Sequence, residues 1–388
     1  MRFATAILDF SRRKGGAERY VVDLCSRMAM EGHEVHVYAE HWEKEVQGIH
    51  LHRVKTVSFP KSLRLLSFAI RATQEIKKGH YDVTLGVGNT LEADVLQPHG
   101  GVHWAWFWRS LRAYDHPVVR AIKLLGRILS LKQWVSGWIE DRPYKRRSYS
   151  RIIAISNMVK QDIIKRYRVP TDRVTVVHNG VDIERFHPGN RQYREEIREK
   201  HRIGNDFVML FVSNNFRMKG LVFLMRTLAD LKKEGVPPFK LLVLGKDRKA
   251  PYLRLGKKMD ISEETIFVGS TNEPEKYYGA ADLFIHPAFY DAFSLTVLEA
   301  LASGLPVITT ASTGASEVLN PGEDGFVINS LEDPGELKAG IRYFFNEEIR
   351  RQASYLGRMK AEMHSDKVNF SAIAQVFKDM IKASPPQK

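Results

Sequence analysis

The stretch Leu283-Phe-Ile-His-Pro-Ala-Phe-Tyr-Asp-Ala-Phe-Ser-Leu-Thr-Val-Leu-Glu-Ala-Leu-Ala-Ser-Gly-Leu-Pro-Val-Ile-Thr-Thr310 decides the fold. Leu283–Ile285 is a short apolar run. Ser294–Ala302 carries apolar residues at helical spacing, and Gly304 and Pro306 stop it. Val307–Thr309 is a second apolar run. Strand, helix and strand in so short a span predict parallel strands joined by a crossover helix.

The same alternation runs through the chain. Strands are predicted at Phe3–Leu8, Glu34–Tyr38, Ile49–Val54, Val83–Leu85, Val95–Gln97, Arg151–Ile155 and Val174–Val177, with a helix over Gly16–Glu31. In the second half they fall at Phe207–Val212, Leu241–Leu244, Ile266–Val268 and Phe326–Ile328, besides the two above. The turn-rich segment from Asn179 to Asn190 divides the halves. The expected architecture is α/β: two Rossmann-like domains, 1–180 and 181–364, with the cleft between them as the site. A C-terminal helix in 365–388 is expected to pack back towards the first domain, and Ser384-Pro385-Pro386-Gln387-Lys388 reads as a frayed tail. In such sheets ligands bind beyond the carboxyl ends of the strands.

Of the 388 residues 44% are hydrophobic and 27% charged, the composition of a folded protein. The single cysteine, Cys25, excludes an intrachain disulfide framework and a Cys-based zinc site. No run of eighteen apolar residues occurs, and the N-terminus turns acidic too soon for a secretory signal, so cytosolic residence is expected. The net charge of +14 is lopsided. Residues 1–180 hold 30 Lys+Arg against 17 Asp+Glu, whereas the remainder is nearly balanced at 29 against 28. A basic half calls for an anionic partner: membrane, nucleic acid or acidic glycan.

Four segments could carry chemistry. Asp291 and Glu299 flank the start of a helix, whose free N–H groups and dipole suit a phosphate while two carboxylates hold sugar hydroxyls. The plain alternative is a capping Asp and a surface Glu. Arg217 and Lys219, in the turn after Phe207–Val212, are placed to grip a diphosphate, or are simply solvated loop cations. Lys14-Gly15-Gly16 and Gly86-Val87-Gly88 follow predicted strands without a complete phosphate-loop spacing, as turns do. His99, followed by Gly100-Gly101, is a candidate sugar contact. His99 and His103 find no further metal ligands at convincing spacing, and no Asp-x-Asp occurs, so a diphosphate-chelating metal site has no candidate. A fifth region, 103–151, contains five of the six tryptophans and 11 Lys+Arg against 3 Asp+Glu. Arg120, Lys123, Arg127 and Lys132 alternate there with Ile122, Leu124, Leu125, Ile128, Leu129 and Leu131, the mixture of an interfacial amphipathic helix or of an ordinary helix with a basic outer face. No recognised nucleic-acid module accompanies it.

Taken in order, Gly15-Gly16, Ser156-Asn157, Val177-His-Asn-Gly-Val-Asp182, Arg217, Lys219-Gly220, Val268-Gly269, Tyr278-Gly-Ala-Ala-Asp-Leu-Phe-Ile-His-Pro287 and Glu299-Ala-Leu-Ala-Ser-Gly-Leu-Pro-Val-Ile308 resemble the retaining glycosyltransferases of family 4. The resemblance implies the GT-B fold, two Rossmann-like domains facing across a cleft. It implies catalytic roles for Asp291, Lys219, Arg217 and His99. It implies nucleotide-sugar binding by Gly15, Gly16, Arg217, Lys219, Phe267, Val268, Gly269, Asp291, Ala292, Phe293, Ser294, Leu295 and Glu299. The family's paired glutamates, E-x7-E, map onto Asp291 and Glu299, the first shorter by one methylene, and Ser294 stands where glycine is usual. Segment 103–151 is similar to the membrane-binding region of lipopolysaccharide core glucosyltransferases. The implied reaction moves a hexose from a UDP-sugar, as co-substrate with no cofactor, to a lipid-linked cell-envelope glycan at the inner membrane face. A sugar-nucleotide epimerase, a transferase with a soluble or exopolysaccharide acceptor, a non-catalytic membrane scaffold and a nucleic-acid binder are the alternatives.

Overall fold

The computed structural model describes residues 1–44 and 46–383; the tail segment 384–388 lies outside them. The chain divides into two compact units. The first comprises Met1–His178 and the chain from Asn369 on; the second is Asn179–Val368. The divisions thus fall two and four residues from 180 and 364.

The first unit is built on seven parallel strands: β1 (Arg2–Phe10), β2 (Glu34–Trp42), β3 (Ile49–Arg53), β4 (Val83–Gly86), β5 (Val95–Leu96), β6 (Arg151–Ala154) and β7 (Val174–Val176). Their order is β3-β2-β1-β4-β5-β6-β7. The second unit has six: β8 (Phe207–Val212), β9 (Phe239–Leu244), β10 (Thr265–Gly269), β11 (Leu283–His286), β12 (Val307–Thr310) and β13 (Gly325–Ile328), in the order β10-β9-β8-β11-β12-β13. Every neighbouring pair is parallel. Each stretch predicted as a strand is one, with ends shifted by up to two residues, except that β2 runs on to Trp42, four residues past the predicted Tyr38. The reason is burial on both faces: Met209–Phe211, Leu241–Val243 and Leu283–Ile285 are fully buried, so central strands read as unbroken apolar runs.

The helix Asp366–Ala383 completes the first unit's core. Phe370, Ile373, Phe377 and Met380, at helical spacing, are buried against β1 and the helix Gly16–Met30, and the Phe377 ring centroid lies 5.7 Å from that of Phe3.

The helix Pro117–Ile128 differs from every core helix: none of its residues is buried. Val118, Ile122 and Leu125 are 58%, 63% and 57% exposed, with Arg120 and Lys123 between them. An ordinary helix with an apolar inner face is therefore not what this segment forms. Arg127 departs from the exposed Arg120 and Lys123 in being half-buried: its guanidinium bonds the Phe107 carbonyl and lies over the Trp106 ring at 5.0 Å. Of the five clustered tryptophans, Trp108, Trp134 and Trp138 are exposed. Trp104 is held against Gly137, where a Cβ would lie 2.5 Å from the indole.

Candidate active site

The order β10-β9-β8-β11-β12-β13 reverses direction between β8 and β11, so the loops leaving these two strands part and open a crevice at their carboxyl ends. Residues 213–220 follow β8 and lead into the helix Leu221–Lys233; residues 287–294 follow β11 and lead into the helix Leu295–Ala302. The two loops are pinned together. Phe289 N–H donates to the Met218 carbonyl, and Gly220, at φ +81°, packs so closely that a Cβ would lie 1.9 Å from the Pro287 carbonyl oxygen.

Across that contact Lys219 Nζ reaches Asp291 Oδ2 at 2.7 Å and the Tyr290 carbonyl at 3.2 Å. His286, the last residue of β11, approaches the same Oδ2 through Nε2 at 2.9 Å. Burial opposes the charge on Asp291, but the Lys219 ammonium and the His286 bond outweigh it and hold the carboxyl well below the usual carboxylate range. Burial pushes the His286 pKa down, so its neutral ring donates Nε2–H to Asp291. Arg217 lies in the same loop, half-buried.

Ser294 is the N-cap of Leu295–Ala302 at φ +82°, a backbone that explains why glycine is usual here. Its hydroxyl lies 3.0 Å from Thr296 Oγ1 and 3.3 Å from His286 Nε2, and makes no cap bond to the helix. Asp291 makes no cap either; its backbone pairs with Ser312 and Gly314. Glu299 is no surface residue. It is 6% exposed and accepts the Tyr278 hydroxyl at 3.0 Å. The side chains of Ala292 and Phe293 are buried, whereas Leu295 is partly exposed. Phe267, Val268 and Gly269 form the end of edge strand β10, where the register shifts and Gly269 turns to φ +87°.

In the first unit Gly15 is an extended N-cap for the helix Gly16–Met30. His99, beyond β5, packs against Tyr20 of that helix with ring centroids 4.0 Å apart and planes tilted by 46°. Burial drives its pKa to about 3, so it is a neutral imidazole, and its Nε2 is buried without a partner among the described residues. Asp291, Lys219, His286 and Ser294 therefore meet in the second unit, while in the first His99 packs on Tyr20 of the helix that Gly16 opens.

Sequence reading missed two features. His286 stands outside the predicted strand Leu283–Ile285 and carries no signal of its own beyond its place in the run Tyr278–Pro287. The two glycine turns, Gly86-Val87-Gly88 and Gly100-Gly101, line one cavity of about 160 Å³ with Glu140 in its wall. Glu140 accepts from His103 N–H and lies 2.8 Å from the Tyr167 hydroxyl, which is also 2.9 Å from Asp141. One hydroxyl proton cannot serve two carboxylates. Asp141 is paired with Lys145, so the extra proton belongs on Glu140, whose pKa burial raises to about 7.

Residues 14–185 match the family model Glycosyltransferase Family 4, and residues 193–358 match Glycosyl transferases group 1. Among curated proteins the lipopolysaccharide glucosyltransferase WaaG of Escherichia coli (strain K12) is 24% identical over 348 residues, covering 87% of this chain and 88% of that one. A D-inositol 3-phosphate glycosyltransferase of Thermomonospora curvata is 23% identical over 384 residues, covering 89% and 86%. The crystal structure of WaaG matches with a TM-score of 0.78 at 21% identity over 97% of this chain and 99% of that one. That of Anabaena Alr3699/HepE in complex with UDP-glucose matches at 0.72 and 17% identity over 98% and 100%. The chain belongs to the family 4 glycosyltransferases and has their GT-B fold of two Rossmann-like domains.

Proposed function

We propose that the protein is a retaining, metal-independent hexosyltransferase that moves a hexose from a UDP-sugar to a hydroxyl of a lipid-linked cell-envelope glycan, with the lipopolysaccharide core as the favoured acceptor. The observation that carries the reading is the Lys219–Asp291–His286 cluster at a switch point, beside the start of the helix Leu295–Ala302. Lys219, Arg217 and the first-turn N–H groups would receive the departing diphosphate, each such donor being worth ~2.7–4 kcal/mol of barrier. No Asp-x-Asp occurs to chelate a metal there. Both side-chain contacts to Asp291 end on Oδ2, which leaves Oδ1 for a donor-sugar hydroxyl. Glu299 would hold the ribose and Phe267–Gly269 flank the base. Ala292, Phe293 and Leu295 would contribute through the loop backbone they share with Ser294. Gly15-Gly16 would permit close approach of substrate, and His99 would touch the donor sugar. The bond from the anomeric carbon to the diphosphate oxygen breaks, the acceptor oxygen bonds that carbon, and the acceptor proton passes to the leaving phosphate on the same face.

UDP-glucose bound to HepE and the lipopolysaccharide substrate in the name of WaaG support the donor and acceptor classes. The exposed apolar and basic helix Pro117–Ile128 supports peripheral attachment to an anionic inner membrane face. The inositol phosphate in the other relative's name keeps a soluble acceptor as the second reading. Thermal-shift measurements against UDP-, GDP- and ADP-sugars test the donor. Saturation at a hundred times Kd stabilises by ~2.7 kcal/mol. A shift seen only with a non-uridine nucleotide overturns the UDP assignment.

A further inference from the structure

Strands β2 and β3 collect ligating side chains at the edge of the first sheet, away from the transfer site. Their register pairs His36 with His50 and Tyr38 with His52. The two-residue period of a strand puts Glu34, His36 and Tyr38 on one face. His36 Nε2 lies 2.9 Å from Glu34 Oε1, and His36 Nδ1 lies 2.8 Å from His52 Nε2. The rings of His36 and His50 stack with centroids 4.8 Å apart. One donor atom from each of Glu34, His36 and His50 lies within 4.8 Å of the other two.

We propose that Glu34, His36 and His50 bind a divalent transition-metal ion, which ties edge strand β3 to β2. Two imidazoles and one carboxylate, with water completing the shell, are a donor set suited to zinc. The surroundings hold Glu34 and His36 in place, while the exposed His50 ring turns out of its stack on His36 to meet the ion. Arg2 Nε grips the other oxygen of Glu34 at 3.0 Å, which turns Oε1 towards the histidines. His36 is buried between His50 and Tyr81, and His52 engages its second nitrogen. Such outer partners orient ligands and fix their tautomers. His50 is exposed, so an ion has a path in. As the bonds stand, His36 Nε2–H donates to Glu34 and His52 Nε2–H donates to His36 Nδ1. Metal binding takes the His36 Nε2 lone pair. Both rings then change tautomer, and the His36–His52 bond reverses direction without net proton loss. The cluster sits at the amino ends of the strands, where Glu34 pairs with the first residue of β1, opposite the carboxyl ends that carry substrate chemistry. The ion is therefore structural and takes no part in transfer.

The test is Zn²⁺ titration of the untagged full-length protein by calorimetry, with X-ray absorption on the loaded protein. One saturable site per chain with a nitrogen and oxygen shell at ~2.0–2.1 Å is expected. His50→Ala, at an exposed position, should weaken it tenfold or more, and Glu34→Gln should do the same, while His116→Ala leaves it unchanged. Circular dichroism of each variant checks that the fold survives. Absence of saturable uptake, or uptake unaffected by His50→Ala and Glu34→Gln, overturns the proposal.

Discussion

At the scale of single residues, Lys219 and Asp291 are the pair on which the proposed donor site turns. Lys219→Ala should lower turnover about a hundredfold, through loss of one preorganised cation. Steady-state kinetics on protein of unchanged circular dichroism checks this, and a loss of only a few-fold would remove Lys219 from the diphosphate. Ser294 tests the backbone. Ser294→Ala keeps the strained φ of +82° and loses the hydroxyl contacts, whereas Ser294→Gly loses the hydroxyl but relieves the strain. The glycine variant should be the more stable of the two by about 1 kcal/mol in chemical denaturation. Glu140 gives a prediction in pH. Its folded pKa of about 7 stands above the ordinary carboxylate value, so the folded state binds the extra proton, and that stability is lost as pH rises from about 4.5 through 7. Glu140→Gln should therefore be the more stable protein at pH 8, by about 3 kcal/mol, with the difference shrinking towards pH 4.5. A pH-independent difference would show that Glu140 does not carry the proton.

At the scale of elements, two loops and one helix matter most. The loops after β8 and β11 can approach because Gly220 has no side chain. Gly220→Ala would drive a Cβ into the Pro287 carbonyl at an unfavourable φ, and should cost about 2 kcal/mol or more, read from denaturant midpoints. The helix Pro117–Ile128 is the opposite case, an element none of whose residues is buried in its own unit. Wild type should sediment with anionic but not neutral vesicles and be released by salt, each cation near the surface contributing ~1 kcal/mol. Arg120→Ser with Lys123→Ser and Lys132→Ser should weaken this without altering UDP affinity. Arg127 is spared because, unlike the exposed Arg120 that bonds the Tyr114 carbonyl, it is half-buried over the Trp106 ring as well as bonded to the Phe107 carbonyl, so its loss would disturb the fold as well. Equal sedimentation of the triple variant and wild type would rule out these cations as the membrane contact.

At the scale of the molecule, each unit has its own sheet and its own core, and the first is completed by the last helix of the chain. Phe377→Ala should destabilise the first unit by about 3–5 kcal/mol, with hydrogen exchange rising in β1 and β2 but not in β8 and β9. Uniform loss of protection in both units would mean that they unfold as one. The strands, their parallel pairing and the placement of Asp291 and Glu299 around a helix start were legible in the sequence. Buried parallel strands leave continuous apolar runs, and turn residues punctuate them locally. What lay outside local patterning was which distant side chains meet. His286 and Lys219 converge on one carboxylate oxygen, Tyr278 takes Glu299 into the interior, and His36 stacks on His50, only because strand order and register bring residues far apart in the chain together. Period and composition record which face of an element is buried. The partners waiting on that face, and with them the charge state of each buried acid and imidazole, are decided by the tertiary structure, because a pKa answers to neighbours in space.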